Sequence, residues 1–190
     1  MTPVADWLTA IGTIGTFFVI GASAIAAIRQ LRHMRAANQL QAILALEEHF
    51  RDTDLQAALT YAQEELPRML DRPEYRDELI RRGYIDARRH PELLLCNWFN
   101  KMGLLVKHRI VSEEIFMDLF ARLIVYYWDA LVPAVVLMRR NRGEGEYHDF
   151  EFLAMRGRQW LERNRGGKFP KGLVRSPLPD PWLSGAADES

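Results

Sequence analysis

Apolar residues are distributed very unevenly along this chain. From Trp7 to Ile28 there are 22 consecutive residues without a formal charge. As a helix this run would extend roughly 33 Å, against a hydrocarbon core of about 30 Å. Thr2 and Pro3 suit an N-cap and a first helical position, and Trp7 falls where an interfacial aromatic anchor belongs. Three readings compete for the run. A cleaved leader needs a basic start, but the side chains before the run offer only Asp6, although Ala22-Ser23-Ala24 would serve as a cleavage site. A buried helix of a soluble protein is rarely so long without charge. A membrane span fits best, and tolerates Gly12, Gly15 and Gly21. Arg29, Arg32, His33 and Arg35 follow it directly, with no acidic residue before Glu47, so the positive-inside rule places the C-terminal side in the cytoplasm. The same arginines are placed to meet anionic lipid headgroups.

On a helical projection Thr9, Gly12, Thr13, Thr16, Ile20, Ser23 and Ala27 share one stripe, with Ile11, Ile14, Phe18 and Ile25 opposite. Lipid is as apolar as isoleucine, so spans associate through small residues that let backbones approach and through hydroxyls that bond across the contact. Gly12 and Thr16 have the four-residue spacing of such contacts. The stripe predicts docking against a second copy or another membrane protein.

Beyond the run the pattern changes to helical stripes. No Gly or Pro lies between Ala22 and Leu66, so the first helix should continue as a stalk through Leu31, Met34, Leu40, Ile43, Leu44 and Phe50. Thr53 with Gln56 reads as a capping box opening a second helix, with Leu55, Leu59, Ala62 and Leu66 inward and Pro67 as its end. Pro73 opens a third, closed by Gly83, and Pro91 a fourth, with Leu94, Leu95, Trp98, Phe99, Met102, Leu105 and Val106 as its buried stripe. Ser112 caps a fifth, stapled by Val111 and Phe116. Ile115, Phe116, Leu119, Phe120, Leu123, Ile124, Tyr127 and Leu131 make it the most apolar helix outside the membrane run, and Pro133 should kink or end it. Asp118, Arg122 and Asp129 argue against that helix as a second span. After a loop over 141–145, a sixth helix from Tyr147 to Asn164 buries Phe150, Leu153, Ala154, Trp160 and Leu161. Pro170, Pro177, Pro179 and Pro181 then mark a tail.

The predicted fold class is all-α: one N-terminal transmembrane helix continuing into a cytoplasmic helical bundle of about five helices. The predicted boundaries are 1–28 for the transmembrane anchor, 29–51 for a juxtamembrane helical stalk, 52–165 for the helical domain and 166–190 for a disordered, proline-rich tail.

Charge adds little globally, with 25 basic and 25 acidic side chains and no net charge, which gives no reason to expect nucleic acid as a partner. Locally, residues 139–175 hold ten Lys or Arg against five Asp or Glu, and Arg81, Arg82, Arg88, Arg89 and His90 form a second basic cluster. With the stalk arginines these would make a surface for membrane lipid.

Several ordered short segments carry a family likeness: Cys96-Asn97-Trp98-Phe99, Gly103-Leu104-Leu105-Val106, Leu119-Phe120, Tyr127-Trp128 and Phe150-Glu151-Phe152-Leu153-Ala154. Over Arg29 to Arg163 the chain resembles a bacterial family of small membrane-anchored helical proteins characterised as a domain of unknown function. The resemblance implies an inner-membrane-associated helical protein and brings no activity, cofactor or catalytic residue.

Residue chemistry points the same way. No His has a Glu three residues before it and there is no HExxH, so neither a diiron nor a zinc motif is present. Phosphate-cradling glycine loops are missing too, and no catalytic, cofactor-binding or metal residue is assigned. His148 and Glu151 are spaced to share a helix face, but as a solvated helix start, and four of the five histidines lie in the polar surroundings of surface residues. Cys96, the single cysteine, reads as a buried structural thiol. Asn97 and Asn100 read as capping a neighbouring helix or facing solvent. The expected function is a non-enzymatic, membrane-anchored interaction or scaffold protein. The alternatives are a lipid-sensing or membrane effector acting through its transmembrane helix, and an enzyme with a pocket in the helical domain using Cys96, Asn97, His148 or Glu151.

Overall fold

A computed structural model describes residues 3–178, with the side chains of 3–14, 35, 36, 38–40 and 47 outside that description. The expectations for Thr2, Trp7, Thr9, Ile11, Gly12, Thr13, Ile14 and Arg35, and for Pro179 and Pro181, lie outside the described residues. Seven helices and no strand occur among those described. The first, α1 (Pro3–Phe50), is a single rod of 48 residues, roughly 72 Å long at 1.5 Å per residue. It passes unbroken through residue 28, since nothing between Ala22 and Leu66 removes a backbone donor or relaxes φ. Along it, residues 15–34 are exposed on every side. Among the described side chains it is the last turns that touch the bundle, through buried Leu46 and half-buried Ala42, Ile43 and Phe50.

The bundle follows as α2 (Thr53–Glu64), α3 (Leu66–Leu70), α4 (Pro73–Ile80), α5 (Glu92–Lys107), α6 (Glu113–Arg142) and α7 (His148–Arg163). Helices α5, α6 and α7 pack on one another, α2 lies against α5, and α4 against α6. Stacked Phe99 and Phe150, with centroids 4.7 Å apart, form the centre, and Trp128 meets Phe150 edge-on at 4.9 Å. Residues 164–178 form turns and irregular segments, tethered by an ion pair between Lys168 and Glu114.

Several local expectations need correction. Asp52, not Thr53, caps α2, accepting the Asp54 N–H at 2.8 Å, while Gln56 reaches back to the Phe50 carbonyl at 2.6 Å. Pro67 does not merely end α2; lacking an N–H, it suits the first turn of the short α3. Ser112 holds the N-cap position of α6, but its hydroxyl makes no capping bond. Pro133 does not end α6, which continues to Arg142 with Leu131, Ala134 and Val135 buried on both sides of it. Helix rotation also differs. In α5 Leu93 is buried and Leu94 is not, and in α6 Met117, Ala121, Trp128 and Met138 face the core while Ile115 and Leu119 are exposed. By length and composition α6 is, among the described residues, the one helix able to cross a membrane. Its apolar side chains are the core's main source, and Asp129 and Glu113 at its surface pair with Arg158 and Arg156 of α7.

Candidate functional site

Two features stand out: the bare apolar length of α1, and a buried polar network between α2, α4 and α5. On α1, Phe17 and Phe18 are 72% and 77% exposed, and Val19, Ile20, Ile25 and Ile28 also project outward. Thr16, Ser23 and Ala27 from the small-residue stripe are exposed beside them, as are Arg29 and Arg32. Contiguous apolar surface of this kind is rarely left uncovered by a monomeric soluble protein.

The network centres on His90 and Glu92, both 0% exposed. Pro91 starts α5 and so sets these two residues at its mouth, and Pro73 starts α4, which carries Tyr75 and Glu78 toward them. Tyr75 donates to Glu92 Oε1 at 2.6 Å. Its single proton being committed there, Tyr61 must donate to the Tyr75 oxygen, 3.0 Å away. His90 Nδ1 lies 2.9 Å from Glu92 Oε1, and Nε2 lies 3.0 Å from Glu78 Oε2. Glu78 in turn holds Arg89 at 2.8 Å. Burial opposes a charge on His90, but its hydrogen bonds to Glu92 and Glu78, with their charges, more than offset it and raise its pKa. The bond from His90 lowers that of Glu78, and burial followed by the Glu92 charge pushes Tyr75 far upward.

This chain of bonds can hold and relay a proton. It offers no bound atom an approach to the His90 ring, which Tyr75 covers at 4.3 Å between centroids. The two carboxylates stand at opposite ring nitrogens and so cannot converge on a metal. Among the described residues no group of three His, Cys, Asp or Glu is placed to hold one.

The other candidate side chains do not converge. Cys96 is fully buried, and burial, reinforced by the charges of Glu92 and Glu146, pushes its thiol well above the ordinary range. His148 is bonded to the Gly145 carbonyl at 2.9 Å and lies 3.2 Å from Asp149, while Glu151 pairs with Arg139 at 2.8 Å, so the two part company despite sharing a helix. Asn97 is exposed on α5. Asn100 caps a neighbouring helix: its Oδ1 accepts the Asp149 and Phe150 N–H groups at 3.1 and 3.2 Å. That role falls to Asn100 because the residue at the N-cap of α7, Tyr147, has φ 55° and makes no side-chain bond there.

The basic clusters are partly engaged within the fold. Five of the ten basic residues over 139–175 are ion-paired within the fold: Arg139, Arg142, Arg156, Arg158 and Lys168. Arg82 donates to the Asn141 carbonyl at 2.9 Å, and His90 is a core residue rather than part of a surface cluster. The His90 network was not legible beforehand. Its members lie on three helices and a loop, and the one available signal was the short spacing of His90, Pro91 and Glu92 at a helix start.

No curated protein and no solved structure matches this chain. A family model described as a domain of unknown function, DUF4760, matches residues 17–156, which takes in the second half of the apolar run together with the bundle up to the middle of α7. The chain therefore belongs to the DUF4760 family.

Proposed function

We propose that this protein is a membrane-anchored, non-enzymatic interaction protein. The N-terminal half of α1 spans the inner membrane of a bacterium, and the bundle stands in the cytoplasm as a docking platform. One observation carries the reading: residues 15–34 of α1 are exposed all round, with Phe17, Phe18, Val19, Ile20, Ile25 and Ile28 uncovered. A helix apolar on every face needs a lipid or protein environment on every face. The uncharged run Trp7–Ile28 is long enough for lipid, and Arg29 and Arg32, exposed at its end, suit headgroups on the cytoplasmic side. The family match beginning at residue 17 supports an apolar segment that is an integral part of the mature domain rather than a removable leader. A second copy or another membrane protein would pack on the Thr16, Ile20, Ser23 and Ala27 stripe.

Alkaline carbonate extraction of membranes tests the anchor. The full chain should stay in the pellet, and the double substitution Phe18→Arg with Ile20→Arg should release it. A charge near a span's centre costs about 2.5–3.5 kcal/mol on insertion scales. Release of the unsubstituted chain by carbonate, or digestion of the bundle by protease added outside intact cells, would refute the reading.

A further inference from the structure

His90 sits where α4, the loop over residues 81–91 and α5 meet. Its backbone N–H donates to the Asp86 carbonyl at 3.1 Å, so the loop's own turn sets the ring's position. Carboxylates only accept hydrogen bonds. The two contacts, Nδ1 to Glu92 at 2.9 Å and Nε2 to Glu78 at 3.0 Å, therefore need a proton on each ring nitrogen, or one shared with a carboxyl. Either way the site holds one proton more than a neutral ring between two carboxylates.

We propose that His90 is a proton-operated latch that fastens the end of α4 and the loop after it to α5 while both ring nitrogens are bonded, and frees that loop when the extra proton leaves.

The asymmetry of the two carboxylates decides which contact breaks. Glu92 is wholly buried, and its second oxygen, Oε2, has no hydrogen-bond partner, so losing the Nδ1 proton would leave the buried carboxylate with Tyr75 as its single donor. Glu78 has a side chain 23% exposed and already holds Arg89, itself 68% exposed. On loss of the proton the ring keeps Nδ1–H for Glu92, and Nε2 turns a lone pair toward Glu78. Two acceptors 3.0 Å apart repel, and Glu78 moves out to water with Arg89.

The tyrosines and the thiol beside the ring keep one state through this change. Tyr75 of α4 and Tyr61 of α2 stay protonated, held up by burial. The thiol of Cys96 on α5 also stays protonated. Arg81 acts on Glu78 through its charge, as Arg72 and Glu65 do on Tyr61, while Arg142 and Glu146 act on Tyr147. The raised pKa of His90 places the change above the ordinary histidine value of 6.5.

The release is confined. Asn141 donates to the Ile80 carbonyl at 2.9 Å and Arg142 to that of Gly83 at 3.2 Å, so residues 80–83 stay fixed to α6. The part that loosens is residues 84–88, because Arg89 goes with Glu78 and His90 stays on Glu92; Asp86 in it accepts the amides of Arg88, Arg89 and His90. Ala87 and Arg88, with Pro91, wall an open groove of about 580 Å³ against Asp54, Ala58 and Tyr61 of α2, so the latch holds one wall of that groove.

Hydrogen–deuterium exchange on the full chain in detergent micelles, from about pH 6 to about pH 9 and corrected for intrinsic rates, tests this. The amides of Arg88, Arg89 and His90 should exchange up to about tenfold faster per pH unit above the His90 midpoint, the most that one linked proton allows. Residues 80–83 and α7 should not follow. In Glu78→Gln the carboxamide accepts from the charged ring and donates to the neutral one, so the pH slope should vanish with the loop still protected. His90→Gln, if it folds, should show a pH-independent, unprotected loop. A flat profile in the unsubstituted chain, the same slope in Glu78→Gln, or an equal slope in α7 would overturn the latch.

Discussion

Replacing Gly103 by alanine should destabilise the bundle, although alanine is the better helix former. Gly103 lies within α5, where exchanging glycine for alanine ordinarily returns up to about 1 kcal/mol. Here the added methyl would sit 2.0 Å from the Asp149 carbonyl oxygen and 2.5 Å from its carbon, where ordinary contact begins at 3.4 Å. Both are backbone atoms, so no rotamer change relieves the overlap, and the first turn of α7 must move outward by about 1 Å or more. That turn carries the Asn100 bonds, the 2.7 Å pair between Lys107 and Asp149, and Phe150 stacked on Phe99. Overpacking of this kind costs about 1–3 kcal/mol, and the loosened bonds at α7 add to it. Set against the propensity gain, a net loss of about 2 kcal/mol is expected. Urea unfolding of the full chain in micelles, followed by the fluorescence of buried Trp98 and Trp128, would measure it. Gly145→Ala, whose methyl meets nothing within 4 Å, is the control and should stay within about 0.5 kcal/mol of the parent. If Gly103→Ala proved as stable as the parent or more so, the close approach of α5 and α7 would be wrong.

Three further outcomes follow from the same geometry. Asn100→Ala strips two amides of α7 of their acceptor and should cost about 1–3 kcal/mol in the same urea assay, whereas Asn97→Ala on the exposed side should cost almost nothing. Cys96 should resist a maleimide in the native chain and react only as fast as the bundle unfolds, because its thiol is buried and held un-ionised; rapid native labelling would contradict that. Stability should also depend on pH with a definite sign. The raised His90 contributes stability that is complete below about 6.5 and fades as pH rises through its folded midpoint. The lowered Glu78 contributes stability present above 4.5 that fades as pH falls through its own. Urea midpoints should therefore decline on the alkaline side, and His90→Gln should remove that decline.

Much of the fold was legible because helix punctuation is local chemistry. Pro73 and Pro91 open α4 and α5, Ser112 precedes α6, and the absence of Gly and Pro beyond Ala22 lets α1 run on to Phe50. Each of these depends on a residue and its near neighbours along the chain, whatever the rest of the molecule does. The all-α class and the buried state of Cys96 could be read in the same way. Rotation of each helix was another matter. Leu93, Leu94 and Leu95 are chemically alike, so only α2 and α7, by the sides from which they approach, select Leu93 and Leu95 for burial and leave Leu94 out. Pro133 removes one backbone bond, a local loss that burial of Leu131, Ala134 and Val135 around it outweighs. The ion-pair partners of the basic runs were not legible, because the carboxylates lie far along the chain. Folding brings Glu113 to Arg156 and Asp129 to Arg158 and neutralises them. His90 is the sharpest case. Beside four arginines in the sequence it looked like surface, yet Glu78 and Tyr75 from α4 and Glu92 from α5 enclose it. A buried charge survives only where partners converge from several elements. Convergence of that kind is a property of the three-dimensional packing, decided once α2, α4 and α5 have docked.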